Sequence, residues 1–181
     1  MLSQNREVMM QTVVKARRKG INGAPTHVLM LDDDMVFPKD TLHRLLQRKL
    51  PVVGVNYVTK EIPAKPVAVL DDGETRLYTD PDSTGCVGVG HLGLGITLVD
   101  PVVLLDIPQP WFPMEWREDL HAYSGEDVAF CRKLREAGVP IVVDQDLSKE
   151  VAHIGGLAYR HDLVGEIVQE ETQADRPRLI I

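Results

Sequence analysis

Apolar and polar positions along this chain separate into blocks with distinct periods. Val8, Met9, Thr12, Val13 and Ala16 recur at helical spacing, which predicts a first helix from Ser3 to about Lys19 with that face turned inward. Lys15, Arg17, Arg18 and Lys19 crowd its last turns, where cations suit the helix dipole, and Gly20 stops it. After a linker over residues 21–25, residues 26–31 (Thr-His-Val-Leu-Met-Leu) are nearly all apolar and predict a buried strand of a largely parallel sheet. Asp40 then caps a short helix carrying Leu42, Leu45 and Leu46, and Pro51 ends it. Residues 52–55 form a second short strand. Residues 67–78 read as a hairpin turning at Asp72-Gly73, which makes Asp71 and Asp72 turn residues rather than a second metal site.

The second half repeats this grammar. A glycine-rich stretch, residues 83–95, leads into a strand at 96–99 and not into a helix. That argues for backbone lying close to a ligand or another strand, not for a phosphate cradle. Asp100-Pro101 opens a short helix. Ser124, as N-cap with Asp127 three residues on, starts a helix striped by Val128, Cys131 and Leu134 and closed by Gly138. Strands at 139–143 and 151–154 follow. The fold class expected is α/β, a mostly parallel sheet flanked by helices in one domain over residues 1–164, with a polar tail at 165–181.

Candidate chemistry gathers at a few points. Asp32-Asp33-Asp34 follows the first strand, at the end where open α/β sheets place ligands. Three adjacent carboxylates repel one another, so the stretch is either a solvated acidic turn or a site for a hard divalent cation. Glu126 and Asp127 read either as favourable charges in a first helical turn or as site acids beside a flexible aromatic loop. His153 reads as a core histidine or a ligand. Trp111, Phe112 and Trp116 lie in a proline-rich segment, Phe112 as a plug over the core and Trp116 as a platform for a sugar ring.

Composition narrows the partners. The chain has 181 residues and a formal net charge of −7, which argues against broad nucleic-acid binding. No apolar run is long enough to span a bilayer, and Cys86 and Cys131 show no metal-type spacing, so a reduced, cytoplasmic setting is expected.

Taken in order, the Asp-x-Asp strand end, the glycine-containing stretch, the Pro-Trp-Phe loop, Gly125-Glu126-Asp127 and His153-Ile154-Gly155 resemble the GT-A type nucleotide-diphospho-sugar transferases, nearest the inverting family-2 glycosyltransferases. The resemblance covers roughly residues 3–156. It implies that Asp32, Asp34 and His153 hold Mn²⁺ or Mg²⁺, that Asp32 and Asp33 meet the nucleotide-sugar donor, and that Asp127, with Glu126 in reserve, deprotonates a carbohydrate or other hydroxyl acceptor. It also sets Trp111 and Trp116 on the acceptor side. Members of that family carry further nucleotide-binding strands before the Asp-x-Asp strand. The first strand here is therefore expected at a truncated sheet edge, with homo-oligomer formation possible. Two other readings compete. One is a non-catalytic remnant that binds carbohydrate or a partner chain. The other is a haloacid-dehalogenase-like phosphatase with Asp32 as nucleophile and Mg²⁺ bound.

Overall fold

A computed structural model describes residues 2–118 and 121–164 of the chain. The polar tail expected at 165–181 lies outside the described residues. In chain order the elements are α1 (Leu2–Arg18), β1 (Val28–Leu31), β2 (Met35–Val36), α2 (Thr41–Gln47), β3 (Val52–Gly54), β4 (Cys86–Gly88), β5 (Ile96–Val99), β6 (Glu115–Arg117), β7 (Ala122–Ser124), α3 (Glu126–Glu136), β8 (Val142–Asp144), α4 (Gln145–Ser148), β9 (Ala152–Ile154) and β10 (Ala158–Tyr159). Single 3-10 turns cover Pro101–Leu104 and His161–Leu163.

The chain is α/β, with a central five-stranded sheet in the order β1-β5-β3-β8-β4. Its faces carry separate cores. On one, Met10 and Val14 of α1 and Phe130, Cys131 and Leu134 of α3 pack over Val28, Met30, Val52, Val99 and Val143. On the other, Leu45 of α2 and Leu147 of α4 pack over Val53, Ile96 and Leu98. Successive strand residues point to opposite faces, so Val52 and Val53 enter different cores.

The expectation of a mostly parallel sheet is corrected. Within the central sheet only β3 and β8 are parallel neighbours; β5 runs antiparallel to both β1 and β3, and β4 antiparallel to β8. All four residues of β5 are buried. An uninterrupted apolar run reports burial on both faces, and strand direction leaves no mark in it. β1, β3 and β8 still share one direction, and β1 is an end strand of the sheet.

Two local expectations also change. On α1 the buried stripe is Arg6, Met10 and Val14, while Val8 is 62% and Met9 41% exposed. The stripe includes an arginine, so a count of apolar residues alone rotates the helix to the wrong face. At α3 the N-cap is Gly125 without a side-chain cap bond, and Ser124 Oγ instead donates to Glu115 O at 3.3 Å, holding the β6–β7 hairpin.

Among the described residues there are two smaller sheets, the hairpin of β6 and β7 and the antiparallel ribbon β10-β9-β2. The ribbon matters for the site. β2 begins directly after the acidic turn, and its Met35 is paired with His153 of β9. Gly93 and Gly95 explain much of the glycine-rich stretch, because a side chain at either position would run into the ring or hydroxyl of Tyr57.

Candidate active site at the acidic strand end

The site lies where β1 and β3 end, beside the start of β5. Leu31 is registered with Ile96 and Gly54 with Thr97, and Asp32 N donates to Gly95 O at 2.9 Å. The chain then turns through Asp33 and Asp34 into β2. Strand pairing delivers His153 beside that turn, and Ile154 N donates to Asp34 O at 2.7 Å. Two segments distant in sequence are thus joined by backbone hydrogen bonds, which makes the placement of His153 insensitive to side-chain rotamers.

His153 Nε2 lies 3.5 Å from Asp34 Oδ1. Its other nitrogen, Nδ1, is 3.0 Å from Val58 O. A carbonyl only accepts, so Nδ1 carries the hydrogen and a neutral ring turns the Nε2 lone pair toward the carboxylate. Asp34 Oδ1 is buried and has no hydrogen-bond partner. Two electron-pair donors therefore face each other, an arrangement stable only with a proton or a metal cation between them. Ligand atoms about 2.1 Å from one ion sit roughly 3.0–3.5 Å apart at ordinary coordination angles. The Nδ1–H to carbonyl bond is the usual way a metal-binding histidine is oriented.

The third expected metal ligand is placed differently. Asp32 Oδ1 accepts from Arg6 Nη2 at 2.5 Å, and the other guanidinium arm, Nη1, is bonded to Glu126 Oε1. Among the described residues no cluster of three His, Cys, Asp or Glu side chains is arranged around one point. The structure therefore brings Asp34 and His153 together and commits Asp32 to Arg6. Mg²⁺-type sites commonly use only one or two protein carboxylates, with phosphate oxygens and waters filling the rest. A two-residue protein set is consistent with such a site. Asp33 sits exposed at the turn.

Lys60 and Tyr57 complete this side. Lys60 Nζ donates to Asp34 Oδ2 at 2.5 Å, and this bond holds the Asp34 carboxyl below the usual carboxylate range. The Tyr57 ring meets His153 edge-on at 5.3 Å, and its hydroxyl accepts from Gly95 N at 3.3 Å. Burial, with the Asp127 and Asp32 carboxylates near, pushes the Tyr57 hydroxyl well up, so it stays protonated.

On the α3 side, Asp127 Oδ1 accepts from Val128 N at 2.8 Å and its Oδ2 lies 3.8 Å from His91 Nε2. Burial holds the His91 imidazole below its ordinary range, with Asp127 opposing the shift. His161, bonded to Asn56 O, is lowered by burial in the same way. Both rings fold neutral, so between the folded and unfolded values the unfolded chain binds more protons and stability rises with pH. Folding stability is expected to be full above about pH 6.5 and to decline as pH falls below it, and His91→Gln with His161→Gln should flatten that slope in urea titrations. The Asp34 contribution is lost only below about pH 4, so the two windows separate.

The aromatic loop divides. Trp111 is 2% exposed, within the core, and its Nε1 donates to Ile107 O at 2.8 Å. Its expected place on the acceptor side is corrected: a closed indole offers no face to a ligand. Glu7 of α1 fixes this loop by accepting from Trp111 N at 2.8 Å and Phe112 N at 3.0 Å. Trp116 is 48% exposed on β6 and packs edge-on against Tyr123 of β7, 5.2 Å between centroids. β7 runs directly into α3, and Arg132 ties α3 back to Glu115 at 2.7 Å. The aromatic pair is therefore carried beside the helix end that holds Glu126 and Asp127.

Arg6, Tyr57, Lys60 and His91 were not foreseen from sequence. Arg6 carries a recoverable signal, its spacing of four from Met10 and eight from Val14. Lys60 lies in an irregular stretch with no periodicity to read.

No helix among the described residues is long and apolar enough to cross a membrane. No family model matches the sequence, and no curated protein does. Seventeen chains of solved structures match the fold. One is A197 from STIV, with a TM-score of 0.55 and 18% identity, covering 86% of this chain and 68% of A197. At that identity the likeness concerns the fold alone.

Proposed function

We propose that this chain is a metal-dependent glycosyltransferase of the GT-A type, moving a sugar from a nucleotide-diphospho-sugar to an acceptor hydroxyl with inversion at the anomeric carbon. The observation that carries this reading is the facing pair of electron donors, Asp34 Oδ1 and His153 Nε2, 3.5 Å apart at the carboxyl end of β1. Asp34 and His153 would hold Mn²⁺ or Mg²⁺, which when bound stabilises the charge of the departing diphosphate. Asp127 takes the proton of the acceptor hydroxyl as its oxygen bonds to the anomeric carbon and the sugar–diphosphate bond breaks. Asp127 suits this role better than Glu126, whose carboxylate is bonded to Arg6. Trp116 and Tyr123 supply apolar faces for an acceptor ring.

The phosphatase reading needs Asp32 as a free nucleophile, whereas Arg6 holds it. A non-catalytic remnant draws support from that same Arg6 contact, since it occupies two site acids. Turnover separates these readings. With Mn²⁺ and a panel of nucleotide-sugars, nucleoside diphosphate should be released, EDTA should abolish the release, and Asp34→Asn should lower it by on the order of 10²-fold. Release unchanged by EDTA and by Asp34→Asn would refute the metal reading, and no release with any donor would favour the remnant.

A further inference from the structure

Among the described residues Lys60 is the cation bonded directly to Asp34 of the facing pair, and it comes from a segment with no place in the sequence motifs. Its ammonium is 2.5 Å from Asp34 Oδ2, the oxygen that does not face His153. Its stem runs past the turn after β9: Lys60 Cδ lies 3.3 Å from where a Cβ on Gly155 would be. Gly155 immediately follows β9, so the lysine stem lies beside the turn that follows His153. The segment that carries it is anchored on both sides: His153 Nδ1–H donates to Val58 O, and Thr59 N donates to Lys65 O at 2.9 Å.

We propose that Lys60 is the diphosphate-binding residue of the site, a tethered cation that neutralises Asp34 until a divalent ion does so and then turns its charge to the donor's phosphates. The inference rests on the metal reading given above. Its physical basis is competition. An ammonium and a divalent ion both lower the energy of the same carboxylate, and they repel each other, so entry of the ion loosens the Lys60–Asp34 bond. Lys60 is part-exposed, with 34% of its side chain accessible, and its ammonium can move a few ångströms without desolvation. The nearest new source of negative charge is a diphosphate bound to that ion. Lysine serves well there as a mobile point charge that needs no fixed fork geometry.

Competition predicts effects of opposite sign on two ligands, which a merely structural lysine would not show. Mn²⁺ binding would be followed by electron paramagnetic resonance, and binding of inorganic pyrophosphate in saturating Mn²⁺ by calorimetry, in the full chain and in Lys60→Gln and Lys60→Arg. Lys60→Gln is expected to bind Mn²⁺ roughly fivefold more tightly, because an ion pair of this exposure is removed from the competition. The same variant should bind pyrophosphate roughly tenfold or more weakly, with Lys60→Arg restoring most of the loss. Weakening of both ligands in Lys60→Gln would make the lysine a support for the turn and overturn the inference. Unchanged affinities would overturn it too, leaving the metal site standing. If the wild-type chain binds no Mn²⁺ that Asp34→Asn abolishes, the metal reading itself fails and this inference falls with it.

Discussion

Asp127→Asn is expected to slow sugar transfer by roughly 10²–10⁴-fold while Mn²⁺-dependent donor binding stays nearly intact. The substitution preserves shape, and the amide oxygen can still accept from Val128 N, so the first turn of α3 keeps its bond. On the proposed mechanism, what is lost is a carboxylate able to take the acceptor's proton as the new bond forms. A loss confined to turnover is the signature of an interaction made in the transition state, and steady-state kinetics on a donor found in the nucleotide-sugar panel would display it. Glu126→Gln separates the alternatives. Glu126 is bonded to Arg6, so its removal should act first on folding stability. Full turnover in Asp127→Asn with an inactive, folded Glu126→Gln would transfer the base role to Glu126. Full turnover in both would reduce the acids to first-turn charges and end the inverting mechanism proposed here.

Arg6→Met is expected to cost about 2–3 kcal/mol of folding stability, lowering the midpoint of thermal unfolding by roughly 5–10 °C. The reason is an asymmetry in how buried charge responds to deletion. The Arg6 side chain is only 9% exposed and its two arms bond Asp32 and Glu126, from segments more than ninety residues apart. Removing the guanidinium leaves both carboxylates close together without a counter-charge. Their partial exposure keeps the figure at or below the bottom of the roughly 3–5 kcal/mol range for fully buried pairs. The effects of Arg6→Met and Glu126→Gln should not add, since each removes the same bond, and a double-mutant cycle by urea denaturation would measure the coupling. Strict additivity would mean that the bridge contributes nothing. A neutral Arg6→Met would mean that the Met10 and Val14 contacts, the Glu7 bonds to the aromatic loop and the Arg18 bond to Leu105 O suffice to hold α1.

The candidate site residues differ in how openly the chain announces them. Asp34 and Asp127 are legible because each stands at a boundary: Asp34 just past an apolar strand, Asp127 in the first turn of a striped helix. Boundaries are local, and local chemistry survives into the fold. Trp111 shows the limit of the same reasoning. A proline-rich aromatic loop looks alike whether its indole is a platform or a plug, and only the closure of α1 over it, through Glu7, decides.

Local periodicity by itself determined α1, α2 and α3, the strands β1, β3, β5, β8 and β9, the turn at Asp72-Gly73 and the α/β class, because each depends on neighbours within one or two turns of chain. By contrast, α4 and the short strands β2, β4, β6, β7 and β10 carry no readable period. Asp72 Oδ1 accepts from Glu74 N and Thr75 N, and Gly73 has a φ of 79°, as the turn chemistry requires. Strand direction and order were decided only in three dimensions. β5 reads the same forward or backward, and its insertion between β1 and β3 is set by long-range pairing that no window of sequence contains. The partners of the acids belong to that second class as well. Arg6 reaches Glu126 across 120 positions and Lys60 reaches Asp34 across 26. Charged side chains on a solvated helix and in an irregular loop look identical in sequence to ones that fold inward, because what distinguishes them is the carboxylate supplied from elsewhere in the chain.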